Sequence, residues 1–213
     1  MPTITLNHVR AALALTMPVF DAPQAQLKMA PVPRGLSSNK PDSTPPRDAG
    51  VLALLFPNTD DLLHIVLTRR ADALRGHSGQ VSFPGGKRDP EDISFAATAL
   101  RETCEELGIC EAIEIIGELS QLYIPPSNFN VYPSVGYLPM LPRLLPAADE
   151  VAEVFTVPLD LLLDASIHRE EIREFGTTKV HVPYYDLCGH KVWGATGIML
   201  SELEHRLRVV LGE

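Results

Sequence analysis

Two short apolar runs, residues 50–56 (GVLALLF) and 62–67 (LLHIVL), flank the turn-forming stretch Pro57-Asn58-Thr59-Asp60-Asp61. This pattern predicts strand, turn, strand. Neither run alternates polar with apolar positions, so both strands are expected to be covered on two faces, as in a sheet between helices. Further apolar segments at 112–123 and 131–138, separated by the turn-rich IPPSNFN, predict two more strands. Residues 149–159 read as an acid-led strand whose Pro158-Leu159 opens a short helix to 163. Residues 167–186 alternate charge with apolar side chains and predict a hairpin or edge strands. Helical spacing appears at both ends of the chain: Ile4, Leu6, Val9, Ala12 and Leu13, and Leu200, Leu203, Leu207 and Leu211 within 198–211. Residues 31–47 are rich in proline, serine and charge, and 141–148 hold two prolines; both read as irregular. The pattern divides the chain into an N-terminal helix and extension, 1–48, and an α/β domain, 49–213.

Residues 79–109 hold the densest chemistry. Asp89 as N-cap, Pro90 at the first helical position and Gly108 as C-terminal stop predict a helix from 89 to 107. On it Glu102, Glu105 and Glu106 stand at i, i+3 and i+4, sharing one face, with Ala96, Leu100, Thr103 and Leu107 broadly opposite. Three acids on one turn repel each other by a few tenths of a kcal/mol per pair, a balance a cation would reverse. Taken alone, such a triplet is most simply a solvated helix face. Gly85-Gly86 just upstream, where bare backbone can approach a ligand, and Arg101 beside the acids turn the reading towards an oxygen-rich site for Mg²⁺ or Mn²⁺.

Gly86, Arg101-Glu102, Glu105-Glu106, Gly108 and Ile109 together resemble the Nudix box of pyrophosphate hydrolases. Asp92 occupies the position of that box's first glutamate, eight residues rather than seven precede Arg101, and Thr103 replaces an aliphatic residue. Leu67-Thr68-Arg69-Arg70, Leu74-Arg75, His77 and the run Gly79 to Gly86 (GQVSFPGG) resemble the signature that coenzyme A pyrophosphatases carry before a box with one extra residue. Trp193-Gly194-Ala195-Thr196 is similar to a further trait of those relatives. The resemblance implies a Nudix-type α/β/α sandwich with a mixed β-sheet. It implies metal-dependent hydrolysis of the diphosphate bond of coenzyme A, or its derivatives, to 3′,5′-ADP and 4′-phosphopantetheine. Glu102, Glu105, Glu106 and the Gly86 carbonyl would hold the metal, and Arg101 would orient them, paired with Glu91 or Asp92. The water's proton would pass to Glu102 or to Glu153, which is favoured over Glu150. Arg69, Arg75, Gly85 and Gly86 would contact the substrate, and a homodimer is the assembly the family suggests.

Composition narrows the partners. A net charge of −9 over 213 residues disfavours broad binding to nucleic acid or anionic lipid. No apolar run approaches the roughly 18 residues of a membrane span. Cys104, Cys110 and Cys188 lack metal-site spacing and are expected as thiols of a reducing, cytoplasmic compartment. Phe129 and Trp193 are expected in local packing and in the core. No phosphate-cradling Gly-x4-Gly-Lys, Gly-x-Ser-x-Gly or His-Glu-x-x-His motif occurs. Two rival functions remain open: hydrolysis of another nucleoside diphosphate derivative, ADP-ribose or a nucleoside triphosphate, and a non-catalytic nucleotide-binding module.

Overall fold

The computed structural model describes residues 3–33, 44–71, 79–175 and 177–213. Its centre is strand β1 (Arg47–Pro57), which lies antiparallel to β2 (Leu63–Arg70) and parallel to β7 (Phe129–Tyr137). Short β3 (Val81–Ser82) adds to β2, and β4 (Gly85–Lys87) adds to β1. On the other flank β5 (Glu114–Glu118) and β6 (Leu122–Ile124) both pair with β7, while β8 (Val151–Pro158) pairs with β2. The sheet is therefore mixed, with one parallel pairing at its centre. A second sheet, β9 (His168–Phe175), β10 (Thr178–Leu187) and β11 (His190–Val192), is wholly antiparallel.

The unbroken apolar runs do face two cores. Leu52, Leu54 and Val66 pack with Ala99 and Leu107 of helix α3 (Phe95–Leu107). Ala53, Leu55, Ile65 and Leu67 pack on the opposite side with Leu200, Leu203 and Leu207 of helix α4 (Gly194–Leu211). With helices on both faces of a mixed sheet, the chain is the expected α/β/α sandwich.

The N-terminal region is built into the second core. Helix α1 (Leu6–Leu13) contributes Val9 and Ala12, and Arg206 of α4 donates to the carbonyls of Ala12 (3.2 Å) and Leu15 (2.8 Å). Helix α2 (Ala22–Leu27) is tied to α4 through Ser201 Oγ, which donates to the Ala25 carbonyl at 2.8 Å.

Three local expectations are corrected. Helix α3 begins five residues late: Ser94, not Asp89, is its N-cap, accepting from the Ala97 N–H at 3.0 Å. The reason is Asp92, whose carboxylate accepts from the Asp89 N–H (2.9 Å) and from Arg101 (3.0 Å); its side chain organises a turn in place of a first helical turn. Cys104 and Cys110 are not separate thiols but are bonded to each other, because Gly108 (φ 70°) reverses the chain after α3. Trp193 is half-buried at the mouth of a cavity, with Arg173 over its ring at 3.9 Å, and is not in the core. Among the described residues no helix is long and apolar enough to cross a membrane.

Candidate active site

Strand β4 and helix α3 meet through glycine. Gly50 of β1 lies so close to α3 that a Cβ there would stand 2.3 Å from the Phe95 carbonyl oxygen. Gly85 (φ 148°) pairs with Val51, and a Cβ on it would sit 2.4 Å from the Gly50 carbonyl oxygen. Side-chain-free backbone thus lets β4 and the helix approach each other. The Gly85 N–H donates to Glu106 Oε2 at 3.2 Å, and a Cβ on Gly86 would fall 2.5 Å from the Glu102 carboxyl carbon. The Gly85-Gly86 pair and two of the three acids therefore share one small space.

The three acids are graded and do not form one solvated face. Glu106 is buried (5% exposed), continuing the buried stripe of Ala99 and Thr103, whereas Glu102 is half-buried and Glu105 is exposed. Burial pushes the Glu106 carboxyl up to about 7. The Gly85 hydrogen bond and the positive field of Arg70 oppose that rise, and Glu102 and Glu150 add to it. Burial raises Glu102 as well, against the pull of Arg101. Arg101 reaches across the helix, donating to Glu102 Oε1 (3.0 Å), to Glu105 Oε2 (3.2 Å) and to the Lys87 carbonyl (3.1 Å). Its partner on the other side is Asp92, bound through two guanidinium nitrogens at 3.2 and 3.0 Å; Glu91 is exposed. The guanidinium holds the Asp92 carboxyl well below the usual carboxylate range, and Asp92 in turn raises Arg101. The open choice between Glu91 and Asp92 thus falls to Asp92.

Arg69 and Arg70 leave β2 on opposite faces. Arg70 lies on the α3 side, within electrostatic reach of Glu106. Arg69 lies on the α4 side, where it donates to Glu153 Oε2 at 3.2 Å, its register partner on β8. Glu153 also stands 3.4 Å from His190 Nε2. The structure therefore separates Glu153 from the acids of α3: in β8 it alternates to the face of Phe155 and Val157. Glu150 is the β8-side carboxylate whose charge is felt by Glu102 and Glu106. Arg75 and His77 fall outside the described residues. Sequence reading ranked Glu153 ahead of Glu150 and chose Arg69 over Arg70 because a strand's alternation assigns sides only once the sheet's two neighbours are known.

The donor set suits a hard divalent ion. It is all oxygen, it includes a buried carboxylate whose hydrogen bond comes from a backbone N–H, and it faces a backbone free of side chains. In the present arrangement Arg101 draws Glu102 and Glu105 together, and among the described residues no three acidic, histidine or cysteine side chains converge into a closed metal cage.

Comparison with known proteins agrees with this geometry. Residues 46–175 match the NUDIX domain. A protein of Photorhabdus laumondii described as an uncharacterized Nudix hydrolase NudL is 37% identical over 186 residues, covering 86% of this chain and 94% of its own. Its counterpart in Yersinia pestis (strain Pestoides F) is 38% identical over 152 residues, 68% of this chain and 73% of that one. Among solved structures, the MutT protein of Methanosarcina mazei Go1 shares the fold with a TM-score of 0.50 and 20% identity, over 78% of this chain and 96% of its own. Nudix hydrolases act on small nucleotide substrates and generally use divalent metal ions, a chemistry that the acids of α3 and the facing glycines suit. The chain belongs to the Nudix family and is a Nudix pyrophosphohydrolase.

Proposed function

We propose that this enzyme hydrolyses the diphosphate bond of coenzyme A or its derivatives to 3′,5′-ADP and 4′-phosphopantetheine, with Mg²⁺ or Mn²⁺ held by Glu102, Glu105, Glu106 and the Gly86 carbonyl. The observation that carries the reaction type is the meeting of Glu102 and the buried Glu106 with the bare Gly85-Gly86 backbone. The coenzyme A specificity is supported by the signature between residues 67 and 86. When bound, the divalent ions neutralise the diphosphate oxygens and acidify a water. The chain's own groups do the rest. Asp92 anchors Arg101, and Arg101 fixes the rotamers of Glu102 and Glu105. Arg70, on the same face, offers a bidentate donor to a phosphate oxygen. Glu102 is the candidate for the water's proton: burial raises its carboxyl against the pull of Arg101, it faces the Gly86 backbone, and Glu153 stands on the far face.

The test is incubation with coenzyme A and either ion, with products identified by mass, against ADP-ribose and nucleoside triphosphates. Appearance of 3′,5′-ADP and 4′-phosphopantetheine is expected. Faster turnover of ADP-ribose or a triphosphate would move the specificity elsewhere, and binding without any product would make the chain a nucleotide-binding module. A homodimer, read from light scattering, belongs to the same proposal.

A further inference from the structure

Behind the β2 exit, on the face opposite α3, lies a cavity of about 450 Å³ walled by Arg69, Arg173, His190, Lys191 and Trp193. That volume falls in the range of small-molecule sites. Its basic wall is assembled by the second sheet. Cys188 and Gly189, both at positive φ (53° and 83°), make a two-residue turn that folds β11 back on β10 in the Leu187–His190 register. The turn sets His190 and Lys191 at the start of β11, and Trp193 follows at the N-cap of α4.

Among the described residues that line the cavity, Arg69, Arg173 and Lys191 are fixed cations and none is a carboxylate. Glu153 pairs with Arg69, Glu171 pairs with both Arg173 (2.6 Å) and Lys191, and Asp186 is the register partner of Lys191 on β10. This basic lining stands in a chain of net charge −9. The Arg173 guanidinium lies over the Trp193 ring at 3.9 Å, and His190 is stacked on Phe155 at 3.9 Å, so the planar groups are already braced. Guanidinium and ammonium groups beside an indole suit an anion carried on a flat heterocycle, which is to say a phosphorylated nucleoside.

The cavity and the acids share one strand of connection. Gln80 and Val81 line the cavity, and Gly86 faces Glu102. Six steps of extended chain separate Gln80 from Gly86, an upper bound of roughly 20 Å between the two places. The NUDIX match ends at residue 175, so His190, Lys191 and Trp193 lie beyond it.

We propose that this cavity receives the phosphomonoester-bearing nucleoside end of the substrate: Arg173 and Lys191 take the phosphomonoester and Trp193 takes the base, while the diphosphate lies with the acids of α3. The assignment rests on the coenzyme A reading, since it is coenzyme A that carries a 3′-phosphate on its nucleotide half. Trp193 is the single tryptophan of the chain, so its fluorescence reports on the cavity without any turnover. Titration of the full-length protein with 3′,5′-ADP is expected to perturb that emission with an affinity about tenfold tighter than 5′-AMP, in line with a charge-assisted phosphate contact. Arg173→Ala and, independently, Lys191→Gln are each expected to weaken 3′,5′-ADP about tenfold and to narrow the kcat/KM preference for coenzyme A over dephospho-coenzyme A. Equal affinities of the wild type for 3′,5′-ADP and 5′-AMP would overturn the proposal. So would variants that lose the same factor on both substrates. If coenzyme A is not cleaved but the Trp193 signal still discriminates 3′,5′-ADP through Arg173, the cavity assignment stands and the coenzyme A reading fails.

Discussion

On α4, Glu202 and Glu204 are buried and well supplied. Glu202 accepts from Gln26 (2.8 Å), the Ser120 N–H and Oγ (both 3.0 Å) and Arg206 (2.9 Å). Glu204 accepts from Tyr185 (2.6 Å) and Arg208 (2.8 Å), with His168 at 3.4 Å. Burial alone would raise Glu204, yet hydrogen bonds from His168, Tyr185 and Arg208 outweigh it and hold the group down to about 2. On α3, Glu106 is nearly as buried, but the hydrogen bond it accepts comes from the Gly85 N–H, and its pKa moves the other way, to about 7. The same residue type in the same kind of helix is thus used twice. Where donors surround it, a buried glutamate holds elements together; where they are withheld, burial raises its pKa, which is the setting of the metal ligand proposed above.

Exchanging the chemistry at each place tests the contrast. The largest effect is expected at Glu106→Gln, which keeps shape and burial but removes the charge. Hydrolysis should fall about a thousandfold, roughly 4 kcal/mol of transition-state stabilisation, while the melting temperature holds or rises. Wild-type turnover in that variant would remove Glu106 from the metal site. Glu202→Ala should do the reverse. It strands Arg206 (7% exposed) without its carboxylate and should cost about 3–5 kcal/mol of folding stability, read by denaturant titration. A loss near zero would mean that the carbonyls of Ala12 and Leu15 are enough for Arg206.

A pH titration sharpens the α4 side. Because Glu204 is depressed from 4.5 to about 2 in the folded chain, its contribution is present above about pH 4.5 and is lost as pH falls through about 2. The swing should be on the order of 3 kcal/mol. Tyr185→Phe removes one donor and should shrink it; an unchanged acid profile would place the stabilisation elsewhere.

The smallest expected effect lies at the junction ahead of α3. Asp92→Asn should weaken the anchoring of Arg101 and lower kcat about tenfold with little change in KM. Glu91→Gln, at an exposed position, should stay within about 0.5 kcal/mol on both activity and stability. Equal losses from the two would undo the assignment of Asp92 as the partner of Arg101.

Much of this was legible in the chain itself. The continuous apolarity of 50–56 and 62–67 announced strands covered on both faces, and Gly108 announced the end of α3, because both follow from local periodicity and backbone freedom. The acids, the glycine pair and Arg101 were recognisable for the same reason: their relation is fixed within a few turns of chain. The start of α3 was not. Asp89-Pro90 is a good local cap, and it lost to a carboxylate that Arg101, nine residues on, holds in a turn.

Sequence alone therefore determined the central strands, the family and the helix that carries the acids, all of which depend on short-range spacing. Only the tertiary structure decided which acid of the triplet is buried, which of Arg69 and Arg70 faces the acids, and that Glu153 stands with Arg69 and His190 rather than with Glu106. It alone joined β2 to the distant β9–β11 sheet around one cavity. Those outcomes depend on which face of a strand each side chain takes and which element covers it, and both are set by pairings between residues far apart in the chain.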